Sequence, residues 1–118
     1  MHDFKKLVIW QKAMEIVKNV YVITNTFPKE ERYSLTSQLR RSAISIPSNI
    51  SEGAGRNTNG EFKNFLGIAN GSINELMTQL ILSKQLGLVE DQIIQPIIKD
   101  LIEVQKINYS LIKKFTKE

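Results

Sequence analysis

The sequence predicts an all-α fold, an antiparallel up-down-up-down four-helix bundle forming one domain over residues 1–118. Three observations carry that expectation. Apolar residues recur at three- and four-residue steps through four long segments, which at about 100° per residue places them on one helix face. The breaks between the segments are short, so each helix must turn back along the one before it. At 118 residues the chain suits one hydrophobic core and is too short for two.

The first helix is expected from Lys6 to Thr26, with Trp10, Ala13, Val17, Val20 and Tyr21 in helical register. Leu7, Val8, Ile9, Met14, Ile16, Val22 and Ile23 widen its apolar surface beyond one narrow stripe, as a helix with a second buried face would require. Trp10 and Tyr21 offer rings on which bases can stack, but both follow the apolar register and read first as packing residues. Phe27-Pro28 ends the pattern because the residue before proline is steered out of helical geometry. A short turn, KEERY, follows.

Ser34 is placed to cap a second helix beginning near Leu35. Leu35, Leu39, Ala43, Ile46, Ile50 and Ala54 form its core stripe. Gln38, Arg41, Ser45, Asn49, Glu52 and Arg56 form a separate polar stripe about a third of a turn away. Pro47 interrupts this helix, leaving the Ala43 carbonyl without its usual partner, and a kink is expected there. Ser45 and Ser48 are candidates to satisfy freed carbonyls. Gly53 and Gly55 mark the helix end, with glycine suited to a left-handed cap.

Thr58 to Glu61 matches a capping box and starts a third helix. Its apolar face runs through Phe62, Phe65, Leu66, Ala69, Ile73, Leu76, Met77, Leu80 and Ile81, while Gly67 and Gly71 permit close approach of another helix. Gly87 is a natural C-terminal cap, and Glu90 and Asp91 suit the positive end of a fourth helix. That helix carries Ile93, Ile94, Ile97, Ile98, Leu101, Ile102, Val104, Leu111, Ile112 and Phe115, with Lys113, Lys114 and Lys117 near its negative end. Pro96 either starts its regular part or bends it.

The absence of cysteine excludes disulfides and thiolate metal sites. No apolar run is long enough to span a bilayer and the N-terminus lacks a signal-peptide core, so a cytoplasmic protein without a membrane partner is expected. His2 is the sole histidine and sits at a terminus expected to be mobile. The serines therefore lack a general base, the Glu-x-x-His pairs of di-iron bundles are missing, and the glycine loop has no nucleotide-binding spacing. No enzyme, metal site or cofactor is expected.

The formal charge of +4 favours acidic partners if the cations cluster. Arg40, Arg41, Arg56 and Lys63 are the candidate nucleic-acid contacts, since guanidinium donates paired hydrogen bonds to phosphate. The competing reading makes the arginines structural. Glu52 can pair with Arg56 along the helix, and Glu61 or Glu75 can reach across from helix three. Gln38, Ser45, Asn49, Glu52 and Glu75 are then the members of a stripe that bridges helices or subunits.

The ordered set Phe4, Leu7, Trp10-Gln11-Lys12-Ala13, Phe27-Pro28, Glu31, Leu35, Gln38, Arg40-Arg41, Ser45-Ile46-Pro47, Asn49-Ile50 and Glu52-Gly53 resembles the four-helix-bundle proteins encoded within intervening sequences of bacterial 23S ribosomal RNA genes. Arg56, Phe62, Phe65, Gly71-Ser72 and Glu75 extend the likeness. The resemblance implies a ring-like homopentamer. It extends to the accessory bundle proteins of diversity-generating retroelements, which implies RNA, DNA or a nucleoprotein partner such as a reverse transcriptase. The function expected is a non-enzymatic homo-oligomeric adaptor for nucleic acid or nucleoprotein. The alternative is a protein-protein interaction module whose arginine stripe builds the oligomer.

Overall fold

The computed structural model describes residues 2–117, in which four helices and two short 3-10 turns account for all regular structure and no strand occurs. The helices are α1 (Val8–Thr24), α2 (Leu35–Ala54), α3 (Asn59–Gln85) and α4 (Asp91–Lys117). The 3-10 turns, Phe4–Lys6 and Lys29–Glu31, precede α1 and α2. A helix as long as α3 or α4 extends about 40 Å at 1.5 Å per residue, which accounts for most of the 47 Å long axis of the molecule. None of the four is long and apolar enough to cross a membrane.

The core is built largely where the periodicity places it, although Ile81, Ile93 and Ile102 of the expected apolar faces are exposed because α3 and α4 each turn only one side to the bundle. All six members of the expected α2 stripe, Leu35 to Ala54, are buried. They meet Ile9, Ala13, Ile16 and Val20 of α1, and Phe62, Leu66, Ala69, Ile73, Leu76 and Leu80 of α3. Ile94, Ile97, Leu101 and Val104 close the cluster from α4. Trp10 and Val17 pack at its edge, with the Phe4 ring edge-on to Trp10 at 5.2 Å. Tyr21 and Val22 lie on the exposed side of α1, so the width of its apolar surface exceeds what this core uses.

Local details differ from the sequence reading at several helix ends. Ser34 does not cap α2 with its side chain; its backbone lies outside the extended geometry that N-caps use, and its hydroxyl faces the Glu31 carboxylate at 3.4 Å. Gly55 closes α2 in a right-handed conformation, φ −85°, with no left-handed cap. Gly53 lies within α2, where α3 comes so close that an added Cβ would stand 2.7 Å from the Phe65 Cβ. Close approach within the chain thus falls at Gly53, whereas Gly67 and Gly71 face open space.

Helix α2 continues through the buried Pro47. Neither serine beside it serves the freed Ala43 carbonyl: the Ser45 hydroxyl pairs with Ser72, and the Ser48 hydroxyl makes no hydrogen bond among the described residues. Helix α4 begins at Asp91 and runs through Pro96, so the proline lies inside the helix near its start. This early position limits its cost, because only the Gln92 carbonyl is deprived of a helical donor.

Of two terminal predictions, the capping box holds in half, its Glu61 carboxylate accepting from the Thr58 hydroxyl and not from the backbone, and the glycine cap holds in full. The Thr58 hydroxyl accepts from the Glu61 amide at 3.1 Å, the first half of a capping box. Gly87, at φ 78°, is the one residue described with a left-handed backbone. Its amide donates to the Lys84 carbonyl and the Leu88 amide to the Ser83 carbonyl, both at 3.0 Å, which is the paired arrangement of a Schellman cap. The N-terminus is also tied down, against expectation. The His2 amide donates to the Ala54 carbonyl at 2.9 Å, and its ring packs against Phe62 and Phe115.

Candidate nucleic-acid interface

Adjacent helical residues diverge by about 100°, and this separates Arg40 from Arg41. Arg40 turns toward α1. Its Nε donates to Thr24 Oγ1 at 2.9 Å and its Nη2 to Asn25 Oδ1 at 3.0 Å, while its guanidinium covers the Tyr21 ring at 4.4 Å. It therefore fastens the end of α1 to the start of α2. Arg41 is exposed, and its side chain has no hydrogen bond or ion pair among the described residues. It borders a groove with Gln38 of α2 and Glu75, Thr78 and Gln79 of α3.

Around these two arginines the chain forms a cleft of about 520 Å³ lined by Tyr21, Arg32, Tyr33, Thr36, Ser37, Arg40, Arg41 and Ile44. A second cleft of about 330 Å³ adjoins it, bordered by Asn25, Pro28 and Lys29 and sharing Arg32, Thr36 and Arg40. Four cations thus line one continuous surface, and no carboxylate lines either cleft. Lys29, Arg32 and Tyr33 fall in the stretch that the sequence predicts only as a turn. Their signal was available in the juxtaposition of arginine and tyrosine between Pro28 and the buried Leu35, where no helical register demands either side chain.

Arg56 lies two residues past the end of α2, and the fourteen residues from Arg40 to Ala54 alone rise about 21 Å along the helix axis. Its Nη2 meets Glu52 Oε1 at 3.3 Å and its guanidinium lies over the Phe65 ring at 4.8 Å. The half-exposed pair stabilises by only about 0.3–0.5 kcal/mol, so the ring contact matters as much as the charge. Lys63 reaches Thr116 of α4 at 3.3 Å. These two candidates occupy the opposite end of the bundle from Arg40 and Arg41, near the α4 lysines.

The middle of the polar stripe joins α2 to α3. Ser42 donates to Glu75 at 2.6 Å and Ser45 shares a 2.8 Å hydrogen bond with Ser72. Asn49 stays within its own helix, donating to the Ser45 carbonyl and hydroxyl, and the exposed Gln38 side chain makes no hydrogen bond among the described residues. Neither bridges helices. Glu61 and Glu75 are held by Thr58 and Ser42, so neither reaches Arg56. Among the described residues no three His, Asp or Glu side chains are grouped to hold a metal ion.

The model of the 23S rRNA-intervening sequence protein family matches residues 5–110. A solved structure, a protein of unknown function from the S23 ribosomal protein family of Bacteroides thetaiotaomicron, superposes with a TM-score of 0.83 at 26% identity. The likeness covers 90% of this chain and 99% of that one. A comparison with curated proteins finds no match.

Proposed function

The chain belongs to the 23S rRNA-intervening sequence protein family, and we propose that it works as a non-enzymatic, homo-oligomeric adaptor that binds nucleic acid or nucleoprotein. One observation carries this reading. Lys29, Arg32, Arg40 and Arg41 line a continuous double cleft without an intervening carboxylate, which is a footprint suited to phosphate. Arg56 and Lys63 belong to a second basic region at the far end.

In this proposal the bundle is antiparallel, up-down-up-down, and assembles in the cytoplasm as a ring-like homopentamer. Lys63 near the start of α3 meets Thr116 at the end of α4, as opposed helix directions require. Open space over Gly67 and Gly71, beside exposed Ile68, leaves a flat strip of α3 for a neighbouring copy. Five chains of +4 would carry about +20 and attract a polyanion over a long range. Kinship with the accessory proteins of diversity-generating retroelements, and a reverse-transcriptase partner, belong to the same proposal.

The second reading is a protein-protein module without nucleic-acid contact, favoured by Arg40 being spent on Thr24, Asn25 and Tyr21. Binding of RNA and DNA by the intact assembly across a salt series separates the two. The adaptor reading expects log affinity to fall linearly with log salt. Absence of binding at low salt defeats it in favour of the module.

A further inference from the structure

We propose that the cleft between Tyr33 and Arg41 is a site for single-stranded nucleic acid, in which an unpaired base stacks on Tyr33 and the adjoining phosphates lie along Arg32 and Arg41, with Arg40, held by α1, adding positive charge. The inference rests on the nucleic-acid reading above and narrows it to one strand class and one platform.

Tyr33 is 89% exposed, yet its ring forms a wall of the larger cleft. An aromatic side chain gains by covering apolar area, and here its own chain covers almost none of it. The ring contact it does make is with Arg32, whose guanidinium lies 5.8 Å from its centroid, near the outer limit of a cation–π contact. Tyr21, the other ring of the cleft, is already covered by Arg40 at 4.4 Å and serves to hold that arginine. One tyrosine is therefore a support and the other an open platform.

The surroundings suit a nucleotide. Ser37 and Thr36 supply hydroxyls between the platform and the arginines, and Ile44 gives the cleft an apolar margin. Arg32 and Arg40 border both clefts, so a strand leaving the first is met by Lys29 in the second. Glu30 and Glu31 are adjacent in sequence but line neither cleft. Bases inside a duplex are already stacked on both faces, whereas an unpaired base presents a free face to Tyr33. With no amide or carboxylate side chain lining the larger cleft, base edges go largely unread and the site tolerates sequence.

The test titrates the intact protein at low salt with a labelled short oligouridylate and with an RNA duplex of equal length. Tyr33→Ala is expected to lose about 5- to 100-fold in oligouridylate affinity, the range for one stacked base. Tyr33→Phe keeps the affinity, and the duplex affinity of Tyr33→Ala matches that of the parent. Because Tyr33 is exposed, a retained melting temperature shows that the variant is folded. Unchanged oligouridylate binding by Tyr33→Ala overturns the platform while leaving the adaptor reading intact. Failure of the parent to bind either RNA overturns both. A change in solution mass accompanying the Tyr33→Ala loss also overturns the platform, assigning the ring to a protein interface.

Discussion

Gly53 of α2 faces the Cβ of Phe65 on α3 so closely that a methyl group added to the glycine would stand 2.7 Å from it. The same methyl would lie 2.8 Å from Phe62 Cδ1 and 3.3 Å from the Phe62 carbonyl oxygen. A helical alanine is ordinarily better than glycine by about 1 kcal/mol. Overpacking costs about 1–3 kcal/mol, and it prevails here because a Cβ is fixed to its backbone and cannot swing aside. Gly53→Ala should lower the urea unfolding midpoint; a raised midpoint would show that α2 and α3 separate at little cost.

Gly67 and Gly71 give the opposite expectation. A Cβ at either meets nothing within 4 Å, so Gly67→Ala and Gly71→Ala should each raise the stability of the folded chain by about 0.5–1 kcal/mol. Thermal melts with a parallel measurement of solution mass check this. The ring proposal, in which a neighbouring copy covers this strip, expects the added methyl to lower the solution mass; unchanged mass would remove the strip from the subunit contact.

These glycines show what was legible in the sequence. A single helix has a fixed period, so the buried stripe from Leu35 to Ala54 could be read residue by residue. Gly87 was equally legible because its cap depends on local backbone alone. Contacts between helices depend on which turn of one stands opposite which turn of the next, and periodicity does not contain that information. Gly53 consequently read as a terminator when it is a packing position, and Arg40 read as a twin of Arg41 when it is a clasp on α1. Tyr33 escapes the periodicity because it belongs to no helical stripe.

Asn108 of α4 is 1% exposed, and its Nδ2 donates to the Leu66 carbonyl at 2.9 Å. Its Oδ1 is buried without a partner among the described residues. An orphaned acceptor costs about 1–3 kcal/mol, which outweighs one neutral hydrogen bond of about 1 kcal/mol. Asn108→Leu, close in size, is expected to stabilise the chain by about 1 kcal/mol in chemical denaturation, while Asn108→Ala leaves a void and destabilises it. Destabilisation by the leucine variant would show that the polar group has a partner in solution.

Asp91 ties the start of α4 to the end of α3. The Gln95 amide donates to its carboxylate at 2.9 Å and Lys84 lies 3.0 Å away, and these hold its pKa below the ordinary 3.8, with the Gln95 bond the larger cause. Between the lowered folded value and 3.8 the unfolded chain binds more protons, so stability rises with pH through that window. The contribution is full above 3.8 and disappears as pH falls through the folded value. Asp91→Asn should therefore be less stable than the parent at neutral pH, with the gap closing in acid. A gap independent of pH would assign the effect to capping geometry instead of charge.

Arg40 and Arg41 should separate stability from binding. Removing Arg40 deletes two hydrogen bonds to the end of α1 and the cover over Tyr21, so Arg40→Ala is expected to cost about 1–2 kcal/mol in folding stability. Thr24 remains satisfied because its hydroxyl also donates to the Val20 carbonyl at 2.8 Å, which keeps the loss from being larger. Arg41 is exposed and unpaired among the described residues, so Arg41→Ala should leave stability within about 0.5 kcal/mol. Its loss should weaken RNA binding and reduce the salt dependence by about one counterion. Equal melting temperatures for the two variants would contradict the division between clasp and contact, and so would unchanged RNA affinity on loss of Arg41.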